Sequence, residues 1–256
     1  MALDITLLAV DTHAPQLLGR SIARTLDCIS CRRIVTLTAE PVYPGAEWIQ
    51  TRPVTVQDYN QIMIKNLWPL ITTEHVLVVQ YDGMAVNADC WTDDFLNYDY
   101  IGAWWPWAHH PNGYRVGNGG FSLRSRRLLD LLRDPAVQCQ HNEDQTIGIV
   151  YRDYLEQRGI RYADQQTAQR FSHEHPADHK HTFGFHGSFN VPYYLDQDAV
   201  ADFVELLPSR STEAALRMVC NLISLGHTDL AQRAIDLGTA QDPDYVTKLQ
   251  QVARLT

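Results

Sequence analysis

Val76-Leu-Val-Val-Gln-Tyr-Asp-Gly83 decides the fold. Val76 to Val79 is an unbroken aliphatic, largely β-branched run, the pattern of a strand buried on both faces. Asp82 and Gly83 end it abruptly and leave a carboxylate at the carboxyl end of a central strand. In open α/β sheets ligands bind at that edge. A carboxylate there, beside a glycine that lets a phosphate approach, suits a divalent cation holding a diphosphate. The same pair also reads as a plain turn.

Outward from this strand, elements alternate. Asp4 to Val10 reads as a first strand, and Pro15 to Cys28 as a helix with Leu18, Ile22 and Leu26 on one face. Arg33 to Thr38 and Glu47 to Gln50 read as strands. Thr55 to Ile71 reads as a helix striped by Tyr59, Ile62, Met63, Leu67 and Leu70. This order predicts an α/β fold, a mostly parallel sheet with helices on its faces. Later, Tyr100 to Trp105 and Gly120 to Leu123 look extended, Ser125 to Arg133 and Glu143 to Gln157 helical, and Thr167 to Asn190 a long histidine-rich loop. The division expected is a domain over 1–208, with a nucleotide-binding half (1–90) and an acceptor and catalytic half (91–208). A C-terminal α-helical hairpin over 209–256 follows. In it Gly226, Ala231, Ile235, Gly238 and Pro243 take tetratricopeptide spacings, so it reads as a hairpin packed on the main domain or as a surface for a protein partner or self-association.

Composition narrows the classes. The chain has 256 residues, 45% of them hydrophobic, and a net charge of −9 with no basic run, which argues against nucleic acid. Five cysteines at irregular spacing, Cys28-Ile-Ser-Cys31 among them, complete no zinc site and read as thiols. No signal peptide and no apolar run near twenty residues stands out, so a cytoplasmic protein without a transmembrane segment is expected.

Four constellations carry chemistry. Trp104-Trp105-Pro-Trp107 holds half of the six tryptophans and reads as a platform for a sugar face. Gly117-Asn-Gly-Gly-Phe-Ser-Leu-Arg124 reads as a close backbone approach to a substrate, with the Asn118 amide free to bond hydroxyls, or as a structural turn. Glu143-Asp144 at a helix start reads either as a complement to the helix dipole or as the seat of a general base. His173, His175, His179, His181 and His186 lie within fourteen residues. Their spacing does not favour a closed zinc site, and His186, between glycine and aromatic residues, is set to reach the cation of Asp82.

Tyr59-Asn60, Gln80-x-Asp82, Asp99-Tyr-Ile-Gly-Ala-Trp104, Asn118-Gly-Gly-Phe-Ser-Leu-Arg124, Glu143-Asp144, Phe171-Ser-x-Glu174 and Phe183-Gly-Phe-His186 occur in this order. The set resembles an uncharacterised family of glycosyltransferase-like proteins, a domain of unknown function related to GT-A fold nucleotide-sugar transferases. The resemblance implies a GT-A-like, Rossmann-like sheet, a nucleotide-diphosphate-sugar donor (a UDP-sugar), Mn²⁺ or Mg²⁺, a carbohydrate-type acceptor and a role in polysaccharide biosynthesis. It puts Asp82 at the last acid of a metal-binding Asp-x-Asp, with Gln80 in place of the first, and makes His186 the second metal ligand. It makes Glu143-Asp144 the catalytic acid pair, with Asp144 the base of an inverting transfer; Glu143, at a helix start, is expected to point to solvent. Trp104, Trp105, Asn118, Gly119 and Glu174 are then expected on the substrate side, and Val10, Asp11, Thr36, Gln80 and Asp82 around the donor. Two rivals remain: a binding module without catalysis, and a zinc hydrolase built on the histidine-rich loop.

Overall fold

The computed structural model describes residues 3–11, 14–52, 55–106, 113–175, 181–206 and 212–254. The chain forms two compact units, Met1–His186 and Gly187–Thr256. The boundary expected at 208/209 lies outside the described residues.

The first unit is built on a six-stranded sheet. Strands β1 (Leu3–Val10), β2 (Cys31–Thr38), β3 (Glu47–Gln50) and β4 (His75–Val79) are mutually parallel; β7 (Ser122–Ser125) runs antiparallel beside β4, with β6 (Tyr100–Ile101) beyond it. The order is β3-β2-β1-β4-β7-β6, the mostly parallel sheet expected. Alternation divides the aliphatic runs between two cores. Leu8, Val10, Val76 and Val78 pack with Met63, Leu67 and Leu129 on one face. Leu7, Ala9, Leu77 and Val79 pack on the other with Leu18 and Ile22 of α1 (Pro15–Cys28). Both runs are therefore wholly buried, and cutting Leu77 to alanine is expected to cost about 2–5 kcal/mol.

Three features of this sheet build the functional end. The parallel register sets Val10 opposite Leu37 and Ala9 opposite Val79, so β1 and β4 finish at one edge. Because β7 runs the other way, the glycine-rich turn before it arrives at that edge. A small second sheet, β5 (Gly83–Ala85), β9 (Gly184–His186) and β8 (Ser172–His173), pairs Gly83 with His186 and so carries the histidine there too. The loop expected over Thr167–Asn190 thus contains two short strands and the end of α6 (Gln165–Phe171). Two-residue pairings are too short for a period to reveal.

Two helices differ from expectation in the same way. After α2 (Val56–Gln61), whose start is closed by the reciprocal Thr55–Asp58 capping box, the chain takes a π-helical turn over Ile62–Asn66. After α4 (Glu143–Gln145) it takes another over Thr146–Val150 before α5 (Arg152–Glu156). Each π turn directly follows residues that reach the functional edge. By contrast α3 (Arg126–Leu132) is regular, capped by the Ser125 hydroxyl.

The second unit is helical: α7 (Val191–Tyr194), α8 (Gln197–Leu206), α9 (Glu213–Ser224), α10 (Thr228–Gln241) and α11 (Tyr245–Ala253). The expected hairpin is α9–α10, joined through Gly226 at φ +78°, the left-handed value that ends a helix. A further helix, α11, packs on it: a Cβ at Gly238 would lie 2.4 Å from the Tyr245 ring. Among the described residues no helix is long and apolar enough to cross a membrane. All five cysteines are free thiols, and burial pushes Cys31 up to about 12.

Candidate active site

A cavity of about 290 Å³ opens at the shared carboxyl edge. The end of β1 gives Val10 and Asp11, the turn after β4 gives Gln80 and Tyr81, and α2 gives Tyr59 and Asn60. Gly119 and Gly120 come from the turn before β7, Asn142, Glu143 and Asp144 from the start of α4, and His186 from β9.

His186 is the hub. Its Nε2 lies 3.2 Å from Gln80 Oε1 and 3.7 Å from Asp82 Oδ1. Its Nδ1 lies 3.3 Å from Glu174 Oε1 and 2.8 Å from Asn118 Nδ2. Asn118 is fixed in turn: its Oδ1 accepts from Gly120 N at 3.0 Å, and its backbone sits at φ +65°. Bare backbone makes the approach feasible, since a Cβ at Gly120 would stand 2.1 Å from His186 Nε2 and 2.5 Å from Gln80 Oε1. Burial opposes an imidazolium here, but Asp82 and then Glu174 outweigh it and raise His186 to about 9. Burial would also favour neutral Glu174, yet His175 and His186 hold its carboxyl well below the usual range.

This donor set fits a hard divalent cation. A carboxylate oxygen, an amide oxygen and an imidazole nitrogen converge, and separations of 3.2 and 3.7 Å from the imidazole are near the roughly 3 Å kept by neighbouring ligands of such an ion. Glu174 on the far ring nitrogen is the carboxylate partner that orients a metal-bound histidine. Gln80 is why charge is scarce: among the described residues no group of three or more His, Cys, Asp or Glu could hold a metal.

The acid pair is arranged differently from expectation. Glu143 is only 4% exposed and does not point to solvent. Its Oε2 lies 2.8 Å from Nη2 of Arg124, itself fully buried, and its backbone N–H donates to Asn60 Oδ1 at 3.0 Å. Burial pushes the Glu143 carboxyl up to about 7, against the pull of Arg124. Asp144 lines the same cavity; burial raises it as well, opposed by the Gln145 N–H bonded to its Oδ1 at 2.7 Å.

Several other residues stand apart from the expected roles. Trp105 is 7% exposed; its indole N–H donates to Glu174 Oε2 at 3.2 Å, and a Cβ at Gly117 would fall 1.9 Å from its ring, so it is core rather than platform. Trp104 lines a separate cavity of about 160 Å³ with Tyr114, Arg115 and Arg152. Trp107 and His179 lie outside the described residues. Asn118 is 1% exposed and serves His186 rather than presenting its amide to a ligand, and Glu174 likewise supports the histidine. Thr36 is fully buried within β2 and does not line the cavity. Asp82 stands behind Gln80, against His186. Thr55, Tyr59, Asn60, Tyr81, Gly120 and Asn142 join the wall without an assigned role; Tyr59-Asn60 was legible only as one block of the ordered set.

A family model described as "Protein of unknown function (DUF5672)" matches residues 46–186. No curated protein matches the chain. Among solved structures, an active-site mutant of LgtC is 14% identical with a TM-score of 0.47, over 80% of this chain and 95% of that one. The mannosyltransferase PcManGT from Pyrobaculum calidifontis, in complex with GDP-Man and Mn²⁺, is 9% identical with a TM-score of 0.45, over 100% of this chain and 76% of that one. A glycosyltransferase involved in glycosylation of the major capsid of PBCV-1 is 14% identical with a TM-score of 0.43, over 71% and 91% of the two chains.

Proposed function

This chain belongs to the DUF5672 family of proteins of unknown function, and from its cavity we propose that it is a metal-dependent glycosyltransferase of GT-A type, moving a sugar from a nucleoside-diphosphate donor, UDP first among them, to a hydroxyl acceptor. The observation that carries the reading is that Gln80 and His186 share one edge of a cavity whose wall also holds Asp144, with Asp82 3.7 Å from His186 Nε2 behind them.

Charge supports it. The described cavity wall bears Asp11, Glu143 and Asp144 but no lysine or arginine side chain. His186 aside, which a metal would take as the neutral imidazole, a diphosphate entering such a wall meets like charge unless a cation comes with it. Bound by Asp82, His186 and the Gln80 amide, Mn²⁺ or Mg²⁺ would supply charge stabilisation for the departing diphosphate. Glu174 keeps the His186 ring turned toward that position. In the transfer the bond from the sugar C1 to the diphosphate oxygen breaks, and its electron pair leaves with the nucleotide. The acceptor oxygen bonds C1 from the opposite face while Asp144 takes its proton, which inverts the centre. Burial suits Asp144 to that task, because a raised carboxyl is the stronger base.

The test is thermal stability with UDP, Mn²⁺ and a chelator. UDP and Mn²⁺ together should stabilise the protein by about 2.7 kcal/mol at a hundredfold excess over Kd, and either alone by far less. Asp82→Ala should abolish that joint effect with the circular dichroism unchanged. Equal stabilisation by UDP in chelator would remove the metal from the reading; no binding of UDP or GDP with Mn²⁺ would remove the reading itself. Gln80, an uncharged ligand in the metal position, favours one second reading, a donor-binding protein without turnover. Release of free sugar or transfer product from a bound donor decides between them.

A further inference from the structure

Behind Gly119 the cavity floor holds a buried polar cluster that neither the metal ligands nor Asp144 uses. Arg124, fully buried, donates from Nε to Ser122 Oγ at 3.0 Å and from Nη2 to Gly119 O at 3.3 Å. The same Nη2 stands 2.8 Å from Glu143 Oε2. Two atoms here are shielded from solvent and have no hydrogen-bond partner, Tyr59 Oη and Arg124 Nη1, while Glu143 Oε2 has only the Arg124 guanidinium beside it. Native proteins keep few such groups unsatisfied. Tyr59 and Glu143 also line the cavity. Gly119 is bare where they meet: a Cβ there would fall 1.3 Å from Glu143 Oε1, so the backbone leaves the carboxylate its place at the surface of the cavity.

Resting on the transferase reading, we propose that Tyr59 and Glu143, the latter positioned by Arg124, form a hydroxyl-reading floor that takes the ring of a neutral donor sugar and rejects a sugar bearing a carboxylate. The chemistry is complementary. A sugar hydroxyl both donates and accepts; Glu143 can only accept when ionised, and the Tyr59 hydroxyl can donate. One hydroxyl, or two neighbouring ones, can therefore accept from the Tyr59 hydroxyl and donate to the Glu143 carboxylate. A uronate carboxylate only accepts and is charged. It would face Asp11, Glu143 and Asp144, while Arg124 is already engaged behind Glu143 and does not line the cavity.

Calorimetric titration with Mn²⁺ present tests this, using UDP, UDP-glucose, UDP-galactose, UDP-glucuronate, GDP and GDP-mannose on the intact chain. At least one neutral conjugate should bind at least 10-fold more tightly than UDP-glucuronate. Tyr59→Phe and Glu143→Gln should each weaken that conjugate at least 5-fold relative to its nucleoside diphosphate, whose own Kd moves less than 2-fold. The two variants are independent, and the glucuronate comparison needs neither. Wild-type protein that binds no nucleoside diphosphate overturns the transferase reading and this floor with it. Normal nucleotide binding with glucuronate held as tightly as the neutral conjugates, or with the ratio unmoved in both variants, overturns the floor alone.

Discussion

Asp144→Asn should lower turnover about 10²-fold or more, the scale on which a general base acts, while the affinity for UDP with Mn²⁺ stays within 2-fold. Asparagine keeps the shape and the acceptor oxygen that takes the Gln145 N–H, so the start of α4 should stay intact. The measurement is kcat under saturating donor and acceptor, with Kd for UDP determined separately. A raised carboxyl also places the acidic limb of the wild-type rate profile above the ordinary aspartate range, and activity should climb with pH through it. If Asp144→Asn turns over normally while Glu143→Gln is dead, proton transfer belongs to Glu143.

Arg124→Met should cost about 3–5 kcal/mol in urea unfolding at pH 8, because it leaves the Glu143 charge buried and unpaired. The pH dependence has a definite sign. Glu143 titrates near 7 in the folded protein, above its ordinary value of 4.5. Its contribution to stability is therefore full below 4.5 and is lost as pH rises through about 7. Without Arg124 the carboxyl rises further, so the cost of Arg124→Met should shrink toward pH 5.5, where Glu143 takes up a proton instead. The double variant Arg124→Met/Glu143→Gln should recover much of the loss at pH 8. A cost below about 1 kcal/mol at both pH values would show that the pair is not an ion pair in solution.

The sheet was legible because its evidence is local. The aliphatic runs of β1 and β4 are continuous, and burial on both faces is what such runs require. The meeting of Asp82 with His186 was legible only through the ordered set of motifs; no local pattern contains the pairing of Gly83 with His186. What escaped depends on partners distant in sequence. Trp105 looked like a platform since aromatic density is the same in a wall and in a core; Glu174, 69 residues on, makes it core. Glu143 looked like a solvent-facing complement to a helix dipole. Its fate is set by Arg124, which only the antiparallel direction of β7 turns toward it. Asn118 looked free to bond a ligand, and its left-handed backbone and Gly120 give it to His186 instead.

The two π turns each hold one residue more than an α ladder of the same winding would, and that spare residue sets which face the site residues take. Ile62–Asn66 separates Tyr59 and Asn60 from the anchors Leu67 and Ile71, and Thr146–Val150 separates Glu143 and Asp144 from Leu155. A substitution within either segment has a graded effect, scaled by the packing it removes. Loss of one residue is of another kind, since a five-residue π turn winds the chain about as far as four α residues, and its removal restores the α ladder with the faces on either side in register. The anchors are held by the core, so closing either turn to α geometry with every residue kept is what would rotate the cavity side, by about 90°, and carry Tyr59 or Asp144 out of the wall. The spare residue in each turn is therefore what keeps Tyr59, Asn60, Glu143 and Asp144 facing the cavity.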